Sequence, residues 1–320
     1  MIQLEPIYRP VASELKKVDA LLSDISAELN PPLDAFARAA LSQRGKRLRP
    51  ALLLLSNRAV GGDSFLATAA AAVELIHSAA LLHDDVVDHA EMRRGSLTLN
   101  TETGRSLSIV LGNYLYSKAF GLLADTDGAR RELSSATKMM CSGEALELSR
   151  RGIPDIKPGE YLHAAGMKTA SLTSACCSLG ARLGGASSGL VNSLATYGFL
   201  LGLAFQIRDD CLDLGGDAMV IGKECCKDIS ERNATLPLIL ALPSMSRDER
   251  RRVSSIFAEE QAIDNVWFVK AVSENGGIEK SMEIARDFAE RALRSVALLG
   301  GSEAKESLRL LASYSVERDS

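Results

Sequence analysis

The chain has 320 residues, 46% of them hydrophobic and 5% aromatic, with a formal net charge of −4. Abundant Ala and Leu beside scarce Thr, Tyr, Phe and Trp argue against a β-rich fold and for helices. The slightly acidic balance gives no reason to expect nucleic acid as a partner.

That length exceeds the usual prior for one domain, yet a large helical fold absorbs it around one core, so a single domain over 1–320 is expected. Six cysteines, Cys141, Cys176, Cys177, Cys211, Cys225 and Cys226, show neither zinc spacing nor a small disulfide framework. Reduced thiols and a cytoplasmic location are expected. Met1 to Pro10 carries Glu5 and lacks the basic-then-apolar pattern of a signal peptide.

Apolar residues recur at helical spacing almost throughout, and no strict alternation invites a strand. Breaks fall at Pro31-Pro32, Gly61-Gly62-Asp63, Asp125 to Gly128, Gly152 to Gly159, Gly184 to Gly189, Gly215-Gly216 and Gly300-Gly301. The segments between them predict ten to twelve helices, one capped by Asp63 or Ser64 and another opened by Pro158. No charge occurs between Arg182 and Arg208. The apolar part, from about Leu194 to Ile207, is shorter than the roughly 20 residues a bilayer requires, so a buried core helix is expected. From Leu214 to Pro237 the chain loses its apolar stripe but carries Lys223 and Asp228, which suits a lid. Ser244 to Ser320 reads as amphipathic helices without identifiable chemistry.

One acidic signature occurs twice, as Asp84-Asp85-Val86-Val87-Asp88 and Asp209-Asp210-Cys211-Leu212-Asp213. Each ends an apolar helical run, and residues four apart share a helix face. Six carboxylates at two facing helix ends repel unless something positive sits between them, and hard divalent cations are the natural occupants. Cationic partners for a polyanion stand nearby: Gly45-Lys46-Arg47-Leu48-Arg49-Pro50, Arg93-Arg94-Gly95, Lys168-Thr169 and Gly222-Lys223, with His77 ahead of the first signature and Phe205-Gln206 ahead of the second. Arginine forks suit phosphate oxygens and lysine supplies a point charge. Taken singly, an acidic helix end is usually solvated surface, His77 a core histidine, and a basic run a solvated face. The ordered set is specific.

On these residues the chain resembles the trans-isoprenyl diphosphate synthases, or polyprenyl synthetases, from roughly Gly45 to Pro237. The resemblance implies an all-α, isoprenoid-synthase-type bundle around a deep central cavity, usually a homodimer. It further implies head-to-tail joining of isopentenyl diphosphate to an allylic diphosphate by ionisation, condensation and proton loss, with released diphosphate serving as base. Asp84, Asp88, Asp209 and Asp213 would hold magnesium, three ions per site, with Asp85 and Asp210 as ligands or outer-shell acceptors. Lys46, Arg49, His77 and Arg94 match positions that bind isopentenyl diphosphate. Arg93, Lys168, Thr169, Gln206 and Lys223 match those that contact the allylic substrate, the two lysines adding fixed charge opposite the leaving group. Departures from the pattern are Asn113 for Asp, Glu147 for Gln, Arg232-Asn233 for Gly-Lys and Leu97 for Pro.

Ala79 and Ala80, one turn before the first signature, would leave a product tunnel open where bulky aromatics close it. A product longer than fifteen carbons is therefore expected, with a floor at Tyr116, Phe120, Met139 or Met140. At roughly 0.8 kcal/mol per buried methylene, long products leave slowly, so peripheral contact with a lipid surface at release is expected. The competing readings are a non-catalytic subunit of a heteromeric synthase, a short-chain C15 or C20 synthase, a terpene cyclase, and an ordinary helical interaction protein, which would leave the paired acidic helix ends unexplained. Both signatures are complete, against the first, and a cyclase has no need of Lys46, Arg49 and Arg94.

Overall fold

A helix that is apolar around most of its circumference lies in a protein core or in a membrane, and two here are of that kind over most of their length. Ala67–Val87 buries its Ala69 to Ile76 stretch without interruption. Ser188–Gly215 is long and apolar enough to cross a membrane by length and composition, but residues such as Val191, Leu194, Tyr197, Leu201 and Ile207 are buried against its neighbours. The computed structural model describes residues 4–42, 46–63, 66–93, 96–215 and 226–317. Among them, helices of ten or more residues run Ala12–Ala27, Leu33–Ser42, Leu48–Ala59, Ala67–Val87, Arg105–Gly121, Asp127–Leu148, Ser171–Leu183, Ser188–Gly215, Arg247–Phe257, Asn265–Glu274, Gly277–Ser295 and Glu303–Glu317. These twelve match the expected number, and short helices such as Leu4–Tyr8, Leu99–Thr103 and Lys227–Ser230 add to it.

The two buried helices form the axis of the bundle. Ala67–Val87 packs on Arg105–Gly121, Ala12–Ala27 and Leu48–Ala59, whereas Ser188–Gly215 packs on Gly277–Ser295 and Ser171–Leu183. Among the described residues, Ser171–Leu183 joins the halves by packing on Leu48–Ala59, as does Glu303–Glu317, which touches Leu48–Ala59 and Gly277–Ser295. The first of these contacts requires Gly180, because a Cβ there would sit 2.1 Å from the Leu53 carbonyl oxygen. Outer helices bury one face only. Arg247–Phe257 buries Val253, Ile256 and Phe257 and starts at Ser246, whose hydroxyl accepts from the Glu249 N–H while Glu249 accepts from the Ser246 N–H.

Three details differ from the expectation. Met92–Arg93 and Ser96–Leu97 form a two-residue antiparallel ladder, pairing Met92 with Leu97 and Arg93 with Ser96, too short for alternation to register in the sequence. Ala67–Val87 is preceded by Leu66 without a side-chain cap; burial of Leu66 and Ala67 in the core fixes that end instead of Asp63, and Ser64 lies outside the described residues. Pro158 does open a helix, Pro158–Ala165, but that helix continues through a π-helical turn, Gly166–Ala170, into Ser171–Leu183.

Candidate active site

Both aspartate signatures reach one chamber. A cavity of about 440 Å³ is lined by Asp84 and Asp88 from the first, by Asp209, Asp210 and Asp213 from the second, and by Lys168, Thr169, Gln206, Lys227 and Asp228. A cavity of about 570 Å³ adjoins it, sharing Leu81, Asp84, Arg93, Lys168, Thr169, Gln206 and Asp209. Its farther wall carries Lys46, Arg49 and His77, and Ala80 lines its side. The second cavity thus runs from a basic end to the acidic chamber.

The π turn brings Lys168 and Thr169 to the shared wall. Widened turns of this kind concentrate at functional sites, because they rotate side chains out of α-helical phase. Here the neighbouring Asp127–Leu148 helix must come close, which needs Gly143: a Cβ there would lie 2.4 Å from the Lys168 backbone nitrogen. The same helix presents Glu144, the next residue, and Glu147, one turn on, which pair with Lys168 Nζ at 2.6 and 2.9 Å. Burial works against the Lys168 ammonium, but Glu147, Glu144 and Asp84 outweigh it and hold its proton more tightly than water does.

Two of the departures from the family pattern meet at this lysine. Glu147 Oε1 accepts from Lys168 and also from Asn233 Nδ2 at 2.9 Å. A carboxylate stands where the pattern has an amide, and an amide stands where it has a lysine, so the chamber is the more negative for both.

Not all six aspartates present themselves equally. Asp85 is 5% exposed and pairs with Arg93 Nε at 2.7 Å. Asp210 is 3% exposed and has both oxygens engaged, one by the Tyr161 hydroxyl and one by Gln206 Nε2 at 2.8 Å; Gln206 Oε1 in turn accepts from Thr169. Asp213 accepts from the backbone N–H groups of Lys227 and Asp228 at 3.1 and 3.2 Å, and so ties the second signature to the start of Lys227–Ser230. Asp88 is bound from outside the chamber by Arg151 and, at 3.6 Å, by Lys227, which itself lines the chamber. Asp84 and Asp209 line both cavities.

Burial pushes the Asp84 carboxyl up to about 7, with Lys168 opposing, and pushes Asp210 up to about 7 against the hydrogen bonds from Tyr161 and Gln206. Asp228 is raised as well, by burial and then by Asp210, Asp213, Glu147 and Glu231. The chamber is lined by eight carboxyl side chains against four lysines and arginines. Hard oxygen donors in carboxylate excess fit a divalent cation such as magnesium. Among the described residues no three of these groups converge on one point. Magnesium suits that arrangement, since it is commonly held by one or two carboxylates and completes its shell with water and phosphate oxygens.

A stability consequence follows from Asp84 and Asp210. Because their folded-state values lie above the ordinary 3.8, the unfolded chain releases these protons first as pH rises, and stability falls between about pH 4 and 7. Without divalent ions the melting temperature should drop by about 5 °C from pH 5 to 7.5. Magnesium with inorganic diphosphate should restore it at the higher pH, and Asp210→Asn should flatten the slope. A melting temperature that rises over this interval in EDTA would contradict the assignment of the excess charge.

At the basic end, Arg49 Nη1 lies 2.9 Å from His77 Nε2. Arginine only donates, so in this contact the His77 ring nitrogen is the acceptor. Lys46 lines the same wall, its ammonium 5.8 Å from the Tyr314 ring centre. Arg47 takes a different course. In a left-handed backbone conformation it binds Glu74 at 2.7 Å, Asp19 at 2.9 Å and the Leu41 carbonyl, which makes it a structural anchor. Arg94 and Lys223, and the glycine before Lys46, lie outside the described residues, as does the 216–225 part of the expected lid.

The tunnel expectation is corrected at Ala79. That residue is fully buried in the core, because consecutive helical positions point about 100° apart, and only Ala80 lines the cavity. Tyr116 and Met140 line it too, whereas Phe120 packs on the core and Met139 is 41% exposed on the outside. Sequence reasoning also passed over Tyr161, Glu144 as a partner of Lys168, and Arg151. Each is joined to the site by a contact spanning more than 20 residues, for which no local spacing exists.

Comparison with known proteins gives the same grouping. The model of the family described as polyprenyl synthetase matches residues 30–273. A short chain isoprenyl diphosphate synthase of Methanothermobacter thermautotrophicus is 33% identical, with 98% of this chain and 97% of the relative covered. The octaprenyl diphosphate synthase of Haemophilus influenzae is 30% identical over 100% and 98%. In fold, a crystal structure of polyprenyl synthase from Caulobacter crescentus, complexed with calcium and isoprenyl diphosphate, superposes with a TM-score of 0.94 at 30% identity, covering 99% of this chain and 98% of that one. Facing aspartate helices, a cationic far wall and full-length similarity thus agree, and the chain belongs to the polyprenyl synthetase family of prenyltransferases.

Proposed function

We propose that this chain joins isopentenyl diphosphate to an allylic diphosphate, and that its product is an all-trans polyprenyl diphosphate longer than fifteen carbons. The observation that carries the reading is the continuity of the two cavities: an acidic chamber fed by both signatures opens into a longer cavity with Lys46, Arg49 and His77 at its far wall and Ala80 on its side. One diphosphate fits the acidic end through divalent cations, and the other fits the basic end directly.

Asp84, Asp88 and Asp209 are the residues that would hold magnesium, which when bound supplies Lewis-acid charge to the departing diphosphate. Asp85, Asp210 and Asp213, engaged by Arg93, by Tyr161 and Gln206, and by two backbone amides, fix the helix ends. Lys168, Thr169, Gln206 and Arg93 stand at the shared wall, where they orient the allylic diphosphate and place preorganised positive charge near the breaking bond. Arg49, Lys46 and His77 orient isopentenyl diphosphate, its double bond toward the allylic carbon. Leu81, Tyr116, Met140 and Phe205 give the cavity apolar surfaces that keep water from the carbocation. Arg94 and Lys223 extend the two binding sets by resemblance alone.

The long product is supported by Ala80 on the cavity wall and by similarity to an octaprenyl synthase, while the short-chain relative is the reason for a direct test. A homodimer is supported by exposed apolar side chains on Arg105–Gly121 and Asp127–Leu148, notably Ile109 at 43% and Val110 at 51%. A cytoplasmic location and release of product to a lipid surface complete the reading. The deciding assay incubates the chain alone with labelled isopentenyl diphosphate, magnesium and each of the C5 to C20 allylic primers. Dephosphorylated products beyond C15 are expected. No consumption by the chain alone would favour a non-catalytic subunit, and a stop at C15 would favour a short-chain synthase.

A further inference from the structure

A third cavity, of about 690 Å³, lies behind the first signature and is separated from the acidic chamber by four charged side chains. Asp88, Lys227 and Glu231 line both spaces, and Arg151 lines only the outer one. They form a closed ring. Arg151 binds Asp88 and lies 3.7 Å from Glu231, while Lys227 lies 3.6 Å from Asp88 and 3.2 Å from Glu231. Three separate parts of the chain meet there: the end of Ala67–Val87, the turn after Asp127–Leu148, and the short helix Lys227–Ser230 with the residue that follows it.

We infer that Arg151, from behind, and Lys227, from the border of the two spaces, are positioning residues that hold the Asp88 carboxylate and weaken its hold on a divalent cation, and that Glu231 sets how strongly they do so. The inference rests on the reading that Asp88 takes part in holding a cation. Two cations within 4 Å of a carboxylate offset much of the charge it offers to a third. With Asp88 only 9% exposed, solvent screens this little. Glu231 competes for the same two cations, so it partly releases Asp88 to the chamber. The device suits a site that must let go of metal and diphosphate after each turnover, because it lowers affinity without removing a ligand.

The signs of the effects distinguish this role from simple support of the fold. Removing Arg151 or Lys227 should strengthen divalent binding, and removing the Glu231 charge should weaken it. The measurement is titration of the full chain with Mn²⁺ at low ionic strength, read by the electron paramagnetic resonance signal of the free ion, alongside thermal melts. Arg151→Gln is expected to tighten binding about three- to tenfold, Lys227→Gln about two- to threefold, and Glu231→Gln to weaken it about threefold. Lys227→Gln carries the test by itself if Arg151→Gln does not fold. Unchanged or weaker binding in the arginine and lysine variants would overturn the inference. Asp88→Asn binding Mn²⁺ as well as wild type would instead remove Asp88 from the cation site, and the reading beneath the inference would fail with it.

Discussion

Replacing Asp84 or Asp209 by asparagine should lower kcat/KM by about 10³- to 10⁴-fold while leaving the fold intact, a loss of roughly 4 to 5.5 kcal/mol in transition-state stabilisation. These two carboxylates line both cavities, so they face the place where the allylic bond must break. Burial and neighbouring acids already disfavour the ionised form of Asp84. Without divalent ions the asparagine variant therefore relieves crowding in the chamber and should melt at the wild-type temperature or slightly above. Asp213→Asn is the informative contrast. Its side chain accepts from two backbone amides, so a change there should cost about 1 kcal/mol of stability and a smaller part of the rate. Steady-state kinetics with saturating magnesium, paired with thermal melts, separate the two patterns. Activity of Asp84→Asn within tenfold of wild type would sink the assignment.

The helices were legible because burial in this fold is a matter of helix faces, and face periodicity is written directly in residue order. The aspartate signatures were legible because four-residue spacing and like-charge repulsion constrain what can lie between them. Contacts between distant segments were not. Lys46, Arg47 and Arg49 read as one basic cluster, yet the left-handed backbone at Arg47 sends its guanidinium to Glu74 and Asp19 while Arg49 meets His77. The π turn carrying Lys168 is selected by close packing against Gly143, a relation across more than 20 residues with no period of its own. Tyr161, which donates to Asp210 across 49 positions, sits in an ordinary helix start that offers no sign of its partner. The two-residue ladder behind Asp88 is likewise too short to leave a pattern.

Adjacent alanines give the second large effect, and they should behave in opposite ways. Ala80→Phe places a ring in the wall of the longer cavity opposite Tyr116 and Met140, so under excess isopentenyl diphosphate the product distribution should shift shorter by at least one five-carbon unit. One helical turn rises about 5.4 Å, comparable to one such unit in extended form, which is why a single side chain at this level counts in whole units. Shorter products bury fewer methylenes, at roughly 0.8 kcal/mol each, so release should speed up and turnover should respond less to added lipid vesicles. Ala79→Phe adds the same ring on the core side of the helix, where Ala79 has no exposed surface. Overpacking there should cost about 1 to 3 kcal/mol of stability and leave product length unchanged. Sizing the dephosphorylated products of both variants, with their melting temperatures, checks the pair at once. Shortening by Ala79→Phe but not by Ala80→Phe would mean that the growing chain runs on the other side of this helix, away from the cavity that joins the two diphosphate ends.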